Sequence, residues 1–301
     1  MALKLHYKSS AGNVLDYTVN NGSKIYSRAT KKDGTFTHDG FVFQFNGEEK
    51  AIYMVLESAV AARPLQPLES EFTINQRFGF LEKFTNMVLD GETVSAIVTG
   101  EGGLGKSHTI MGALEKRGWQ EGTQYVVVKG YATPKALYGT LWEHRDKTII
   151  FDDCDSVLKD AVSLNLLKGA LDSYDKRTIS WLQKGFIDDN LPNSFEFQGN
   201  IIFISNMSSD KLDPAVKSRS MTIDLSMTLN DKIERMNYIL PSVMPSYPMD
   251  MKQTALDFMA QHADIAKEFN MRTLQKIIKI THAYGDNPEW KDAAKYLITN
   301  V

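Results

Sequence analysis

The run Gly100-Glu101-Gly102-Gly103-Leu104-Gly105-Lys106-Ser107 limits the folds open to this chain more than any other stretch. It fits G-x-x-x-x-G-K-[ST], a grammar with a physical reason for each position. Glycines let consecutive backbone N–H groups turn inward around phosphates, the lysine reaches the β and γ oxygens, and the hydroxyl ligates Mg²⁺. Gly100, Gly102, Gly103, Leu104, Gly105, Lys106, Ser107 and the adjoining His108 are therefore the candidate phosphate-binding residues, with Ser107 also a metal ligand.

The flanks suit the motif. Val94 to Thr99 is a short apolar run of the kind that forms a buried parallel strand, and Ser107 to Lys116 reads as a helix with its N-terminus facing the phosphates. Gly100, Gly102 and Gly105 also satisfy G-x-G-x-x-G, which raises a dinucleotide-binding fold. That fold wants an acid about 20 residues on, at the end of the second strand. Here the second apolar run, Tyr125 to Val128, ends in Lys129-Gly130, and Lys106-Ser107 would have no task.

At 301 residues, with 43% hydrophobic and 24% charged side chains, the chain has room for two or three compact units. A formal net charge of −3 gives no bulk attraction to nucleic acid, so any such contact needs a local patch. The single cysteine, Cys154, excludes an intramolecular disulfide and a cysteine zinc site. With no secretory signal and no apolar run near 18 residues, the chain reads as cytoplasmic, with no membrane partner.

Residues 4 to 46 alternate apolar runs with turn signals such as Asn21-Gly22, Asp33-Gly34 and Asn46-Gly47, which predicts a small antiparallel sheet. Between Glu48 and Ala62, Ile52, Val55, Leu56 and Ala59 fall at helical spacing. Arg63-Pro64-Leu65-Gln66-Pro67 then reads as a linker. Thr73 to Leu89 is an entry helix, and from Val94 onward apolar strands alternate with helical patterns, which argues for a parallel sheet with crossover helices.

Thr148-Ile149-Ile150-Phe151-Asp152-Asp153 delivers two acids at the C-terminal end of an apolar strand, where ligands sit in α/β sheets. Beside a P-loop, Asp152 would hold Mg²⁺ and Asp153 would orient or deprotonate the attacking water, with Asp155 a third acid open to either task. The plain alternative is a solvated acidic loop. Ile201 to Asn206 is a further apolar strand that ends in a polar pair, and Asn206 either positions the water or contacts the γ-phosphate, with capping of the next turn as the plain alternative.

This order of parts resembles the AAA+ ATPase family over roughly residues 72 to 301. Gly100 to Ser107 is similar to its Walker A motif, Ile149 to Asp153 to Walker B, and Asn206 to the sensor-1 residue. Leu212 to Arg219 resembles the arginine-finger stretch, with Arg219 or Lys217 as the finger, and Asn270 to Leu274 resembles sensor 2, with Arg272 turned to the nucleotide. The resemblance implies an α/β P-loop NTPase fold with a C-terminal helical lid and a small β-rich N-terminal domain. The expected units are residues 1–65, 66–227 and 228–301. It also implies ATP and Mg²⁺ as ligands and a homo-oligomeric, hexameric ring in which the finger acts on a neighbour. Asp152-Asp153 departs from the Asp-Glu common in the family, which leaves open whether Asp153 or Asp155 activates water. The bland reading of both arginines is a solvated or ion-paired surface residue.

Lys176 to Phe186 and Ser194 to Gln198 alternate with period two around a loop, predicting a β-hairpin over residues 176–198. It resembles the pre-sensor-1 hairpin of ring-shaped AAA+ motors, with Lys184 and Phe186 near its tip and Trp181 on its flank as nucleic-acid contacts. Tyr131 stands where unfoldases carry an aromatic pore loop, which favours a polypeptide substrate instead. A nucleotide-dependent scaffold that recruits protein partners through residues 1–62 is the third reading.

Overall fold

The computed structural model describes residues 70–182, 191–285, 287 and 289–300 in full, together with the backbone of six strands before them. The chain divides into two compact units, residues 1–69 and 70–301.

In the first unit, β1 (Leu3–Lys8) pairs antiparallel with β2 (Val14–Val19) and with β6 (Val55–Glu57). β5 (Phe41–Asn46) pairs antiparallel with β4 (Gly34–His38) and parallel with β3 (Ile25–Tyr26). The antiparallel sheet expected from the turn signals is thus two three-stranded sheets. The helix expected across residues 48–62 is corrected at Val55–Glu57, which forms a strand. Its backbone finds partners in Lys4, Leu5 and His6 of β1, and that pairing overrides a short run of apolar residues that fits either period.

The second unit is a three-layer α/β structure. Its sheet has the order β13 (Met221–Asp224), β7 (Ser95–Thr99), β12 (Asn200–Ile204), β9 (Thr148–Asp152), β8 (Tyr125–Lys129), and every neighbouring pair is parallel. Such strands are covered on both faces, so they read as continuous apolar runs; all five residues of β7 and of β9 are buried. Alternate side chains serve the two layers. Ala96, Val98, Ile150, Ile202 and Ile204 join one cluster, while Ile97, Ile149, Phe151, Ile201 and Phe203 join the other. Each fully buried aliphatic or aromatic side chain here stabilises by roughly 1.5–3 kcal/mol, and Phe151 and Phe203 stack at 5.4 Å across β9 and β12. This is the parallel sheet with crossover helices that the alternating pattern predicts.

Local signals place the helices. α1 (Ile74–Leu89) starts at Thr73 in a capping box with Gln76. α2 (Lys106–Lys116) follows the glycine loop, α3 (Pro134–Glu143) begins with proline after an N-cap Thr133, and α4 (Ala161–Ala170) is capped by Asp160. The short α5 (Pro214–Ser218) is capped by Asp213. Between α4 and β12 lies the expected hairpin, β10 (Thr178–Ser180) antiparallel to β11 (Ser194–Glu196), with Ile179 and Phe195 paired on the buried face. Its tip, with Lys184 and Phe186, lies outside the described residues.

Four further helices, α6 (Leu229–Ile239), α7 (Met249–Gln261), α8 (Met271–Tyr284) and α9 (Trp290–Asn300), bury their apolar faces in the same cluster as α1 and α2. α6 is pinned to α1 by Arg235, whose guanidinium stacks 3.6 Å from the Phe78 ring and donates to Asn75. Burial pulls that guanidinium down to about 10.

Candidate nucleotide site

The C-terminal edge of three adjacent strands builds one site. β7, β12 and β9 are neighbours in space although their chemistry is far apart in sequence, so the loop after β7, Asn206 after β12 and the two acids at the end of β9 meet. Gly102, Gly103, Gly105, Lys106, Ser107, His108, Asp153, Ile204, Asn206 and Arg272 line a common cleft of about 150 Å³. This is the position where α/β sheets take ligands.

The loop is shaped by its backbone. Gly100 has φ +125°, and a Cβ there would lie 2.8 Å from the carbonyl carbon and oxygen of Leu225. No other residue fits that contact. Gly105, at φ +100°, occupies the N-cap of α2 without any side-chain hydrogen bond, which leaves the first N–H groups of the helix open to an anion. Leu104 is buried in the core beneath the loop and anchors it.

Lys106 is folded back onto its own loop. Its Nζ donates to the carbonyls of Gly100 (2.6 Å) and Glu101 (2.8 Å) and to Oδ1 of Asn206 (2.9 Å). Only 5% of the residue is exposed, and burial lowers the ammonium to about 8 against the opposing pull of Asp153, Asp155, Asp152 and Glu101. The cleft is smaller than the 300–1,000 Å³ typical of small-molecule sites, and Lys106 is among the residues that line it.

Two bridges join the loop to the acids. The Ser107 hydroxyl donates to Oδ1 of Asp152 at 2.8 Å, and Nδ2 of Asn206 donates to Oδ1 of Asp153 at 2.7 Å. Asn206 thus turns its oxygen to the ammonium and its amide nitrogen to the carboxylate, the orientation that charge demands. Asp153 sits at φ 56°, a left-handed conformation that few residues other than glycine adopt, and its N–H is held by the Ile204 carbonyl at 3.0 Å. The exposed carboxylate is held over the cleft by that backbone. Asp155 differs: it accepts from the Ser205 hydroxyl at 2.6 Å and does not line the cleft.

Oxygen donors from Ser107 and Asp152 suit Mg²⁺, which takes one or two protein ligands and completes its octahedron with water and phosphate oxygens. Among the described residues no cluster of three His, Cys, Asp or Glu side chains forms a self-contained metal cage.

The arginines separate. Arg272 stands in the first turn of α8, whose start is docked on the loop through a bond from the Met271 N–H to the Gly103 carbonyl (2.9 Å), and it lines the cleft. Arg219 does not line it. Its Nη1 donates to the Ala215 carbonyl at 2.9 Å, and its Nε is buried without a hydrogen-bond partner. Lys217 donates to the Ser209 hydroxyl at 2.9 Å.

Sequence reasoning missed two cations. Lys232 of α6 pairs with Glu101 of the loop, and Lys129, the last residue of β8, lies 3.5 Å from Oδ2 of Asp152. Neither belongs to a motif; the Lys129 contact follows only from strand order, which sets Lys129 opposite Asp152 in the parallel register.

Of the residues proposed to meet a substrate, Tyr131 is 80% exposed, while Trp181 is half-buried and tilts against Tyr138 at 5.7 Å. Among the described residues no helix is long and apolar enough to cross a membrane.

No family model matches the chain. Over 174 residues it is 33% identical to an uncharacterized 36.7 kDa protein from the nrdC-mobD intergenic region of Enterobacteria phage T4, and the match covers 53% of each chain, so this chain spans about half the length of that relative. Among solved structures, the AAA domain of FIGL-1 in complex with ADP is similar at a TM-score of 0.43 and 13% identity, over 71% of this chain and 73% of that chain.

Proposed function

We propose that the chain is a Mg²⁺-dependent ATPase of the AAA+ type, acting as an oligomeric ring that moves or loads nucleic acid. The observation that carries the ATPase reading is the bridge from Ser107 to Asp152, which brings the hydroxyl of the glycine loop and the acid of a neighbouring strand to one point. In this reading the loop amides and Lys106 hold the polyphosphate, and Ser107 and Asp152 hold the metal. Bound Mg²⁺ neutralises charge on the phosphate oxygens. Asp153, held by Asn206, accepts a proton from water as the water oxygen bonds to the γ-phosphorus and the bond to ADP breaks. Arg272 reaches the phosphates from the helical region of its own chain, and Arg219, absent from its own cleft, serves the neighbouring one.

The nucleic-acid assignment draws on the hairpin. Its two strands pair at Ile179 and Phe195 on the buried face, and Lys184 and Phe186 fall in the sequence that connects them. The second reading, a polypeptide-remodelling ring, is favoured by Tyr131, a large aromatic left 80% exposed directly after β8. Phosphate release in the presence of single-stranded DNA, double-stranded DNA, RNA or an unfolded polypeptide separates the two. Stimulation by a nucleic acid that disappears in Lys184→Ala/Phe186→Ala supports the first. Stimulation by polypeptide alone, lost in Tyr131→Ala, replaces it with the second.

A further inference from the structure

One cation at the C-terminal edge of the sheet has no task in the ATPase reading. Lys129 ends β8, Asp152 ends β9, and the parallel register sets the two side by side. Nζ of Lys129 lies 3.5 Å from Oδ2 of Asp152, while Ser107 takes Oδ1. Both oxygens of the carboxylate are therefore engaged, one by a hydroxyl and one by an ammonium. Lys106 is not available to Asp152, since its Nζ is directed to Gly100, Glu101 and Asn206.

The two partners of this pair differ in freedom. The Asp152 side chain is 12% exposed and fixed by Ser107, whereas the Lys129 side chain is 72% exposed on a flexible four-carbon stem. A divalent ion arriving at Asp152 meets a fixed carboxylate and a cation that can leave.

We infer that Lys129 is the resident counter-ion of Asp152 in the nucleotide-free protein and competes with Mg²⁺ for it, so that Lys129 raises the Mg²⁺ concentration at which nucleotide is bound. The inference rests on the reading of the cleft as a Mg²⁺-nucleotide site and adds to it a positioning residue outside the motifs. Because the lysine end is solvated, the competition is modest. Exposed ion pairs correspond to no more than about five-fold in an equilibrium constant, and salt weakens them further.

The test is binding of a fluorescently labelled ADP to the full chain with Mg²⁺ titrated from an EDTA-buffered start, in wild type, Lys129→Met and Lys129→Arg. Lys129→Met keeps the stem and removes the charge. It should reach half-saturation at about two- to five-fold lower Mg²⁺, with a difference that shrinks as NaCl is raised, while Lys129→Arg should stay at the wild-type concentration. An unchanged or higher Mg²⁺ midpoint in Lys129→Met overturns the inference and leaves the nucleotide site standing. Failure of the wild type to bind labelled ADP at any Mg²⁺ concentration overturns the nucleotide site itself, and the inference with it.

Discussion

Ser107 and Asp152 are 45 residues apart in the chain, yet the hydroxyl of the first donates to Oδ1 of the second at 2.8 Å. The contact exists because β7 and β9 flank β12, so that a loop leaving one strand and an acid ending another reach the same point above the sheet. In the proposed reading that hydroxyl and carboxylate, with a helix N-terminus beside them, hold a hard cation and the phosphates that accompany it.

Asp152→Asn and Ser107→Ala should each lower ATP turnover by on the order of 100-fold, since metal stabilisation of phosphoryl charge is worth several kcal/mol. Both should also flatten the Mg²⁺ dependence of nucleotide binding. Titration calorimetry at several Mg²⁺ concentrations checks this; an unaltered Mg²⁺ dependence in Asp152→Asn would remove that residue from the metal site.

Lys106→Met should leave the stability of the free protein within about 1 kcal/mol of wild type and abolish the rise in Tm on adding nucleotide. Burial lowers the Lys106 ammonium to about 8, so the charged form is disfavoured in the fold relative to the unfolded chain and its removal costs little below that pH. Thermal melts with and without ATP read both quantities. A large fall in Tm without ligand would mark Lys106 as a structural residue.

Gly100→Ala should destabilise the second unit by roughly 2–4 kcal/mol, combining left-handed strain with overpacking. The methyl would meet the Leu225 backbone at 2.8 Å, and both strand ends resist displacement. Urea unfolding measures it, with wild-type stability as the contrary result.

The strands of the second unit were legible because parallel strands covered on both faces are apolar throughout, as in Ile149-Ile150-Phe151 and Ile201-Ile202-Phe203-Ile204. Asp152, Asp153 and Asn206 were legible as polar residues closing such runs. Val55–Glu57 was not, because a short stretch of apolar residues carries both periods until a partner strand decides. Lys129 was hidden for a related reason: its partner is set by strand order, and nothing local to Val128-Lys129-Gly130 encodes which strand lies alongside. The folded-back conformation of Lys106 was equally hidden, since it depends on acceptors up to 100 residues away.

Arg219→Ala should bind ATP nearly as wild type and hydrolyse it poorly, as Arg219 lies outside its own cleft. Mixed with Lys106→Ala, itself inactive, it should recover part of the activity through interfaces that pair an intact loop with an intact finger. Verified mixed oligomers without recovery would confine Arg219 to capping the helix that ends at Ser218.

The most direct test of the account is inorganic phosphate release from ATP by wild type, Lys106→Ala and Asp153→Asn, with labelled-nucleotide binding measured in parallel. The wild type should turn over only with Mg²⁺. Lys106→Ala should lose binding and turnover together, and Asp153→Asn should keep binding while turnover falls by on the order of 100-fold or more. Phosphate release by Lys106→Ala at the wild-type rate would contradict the assignment of this cleft.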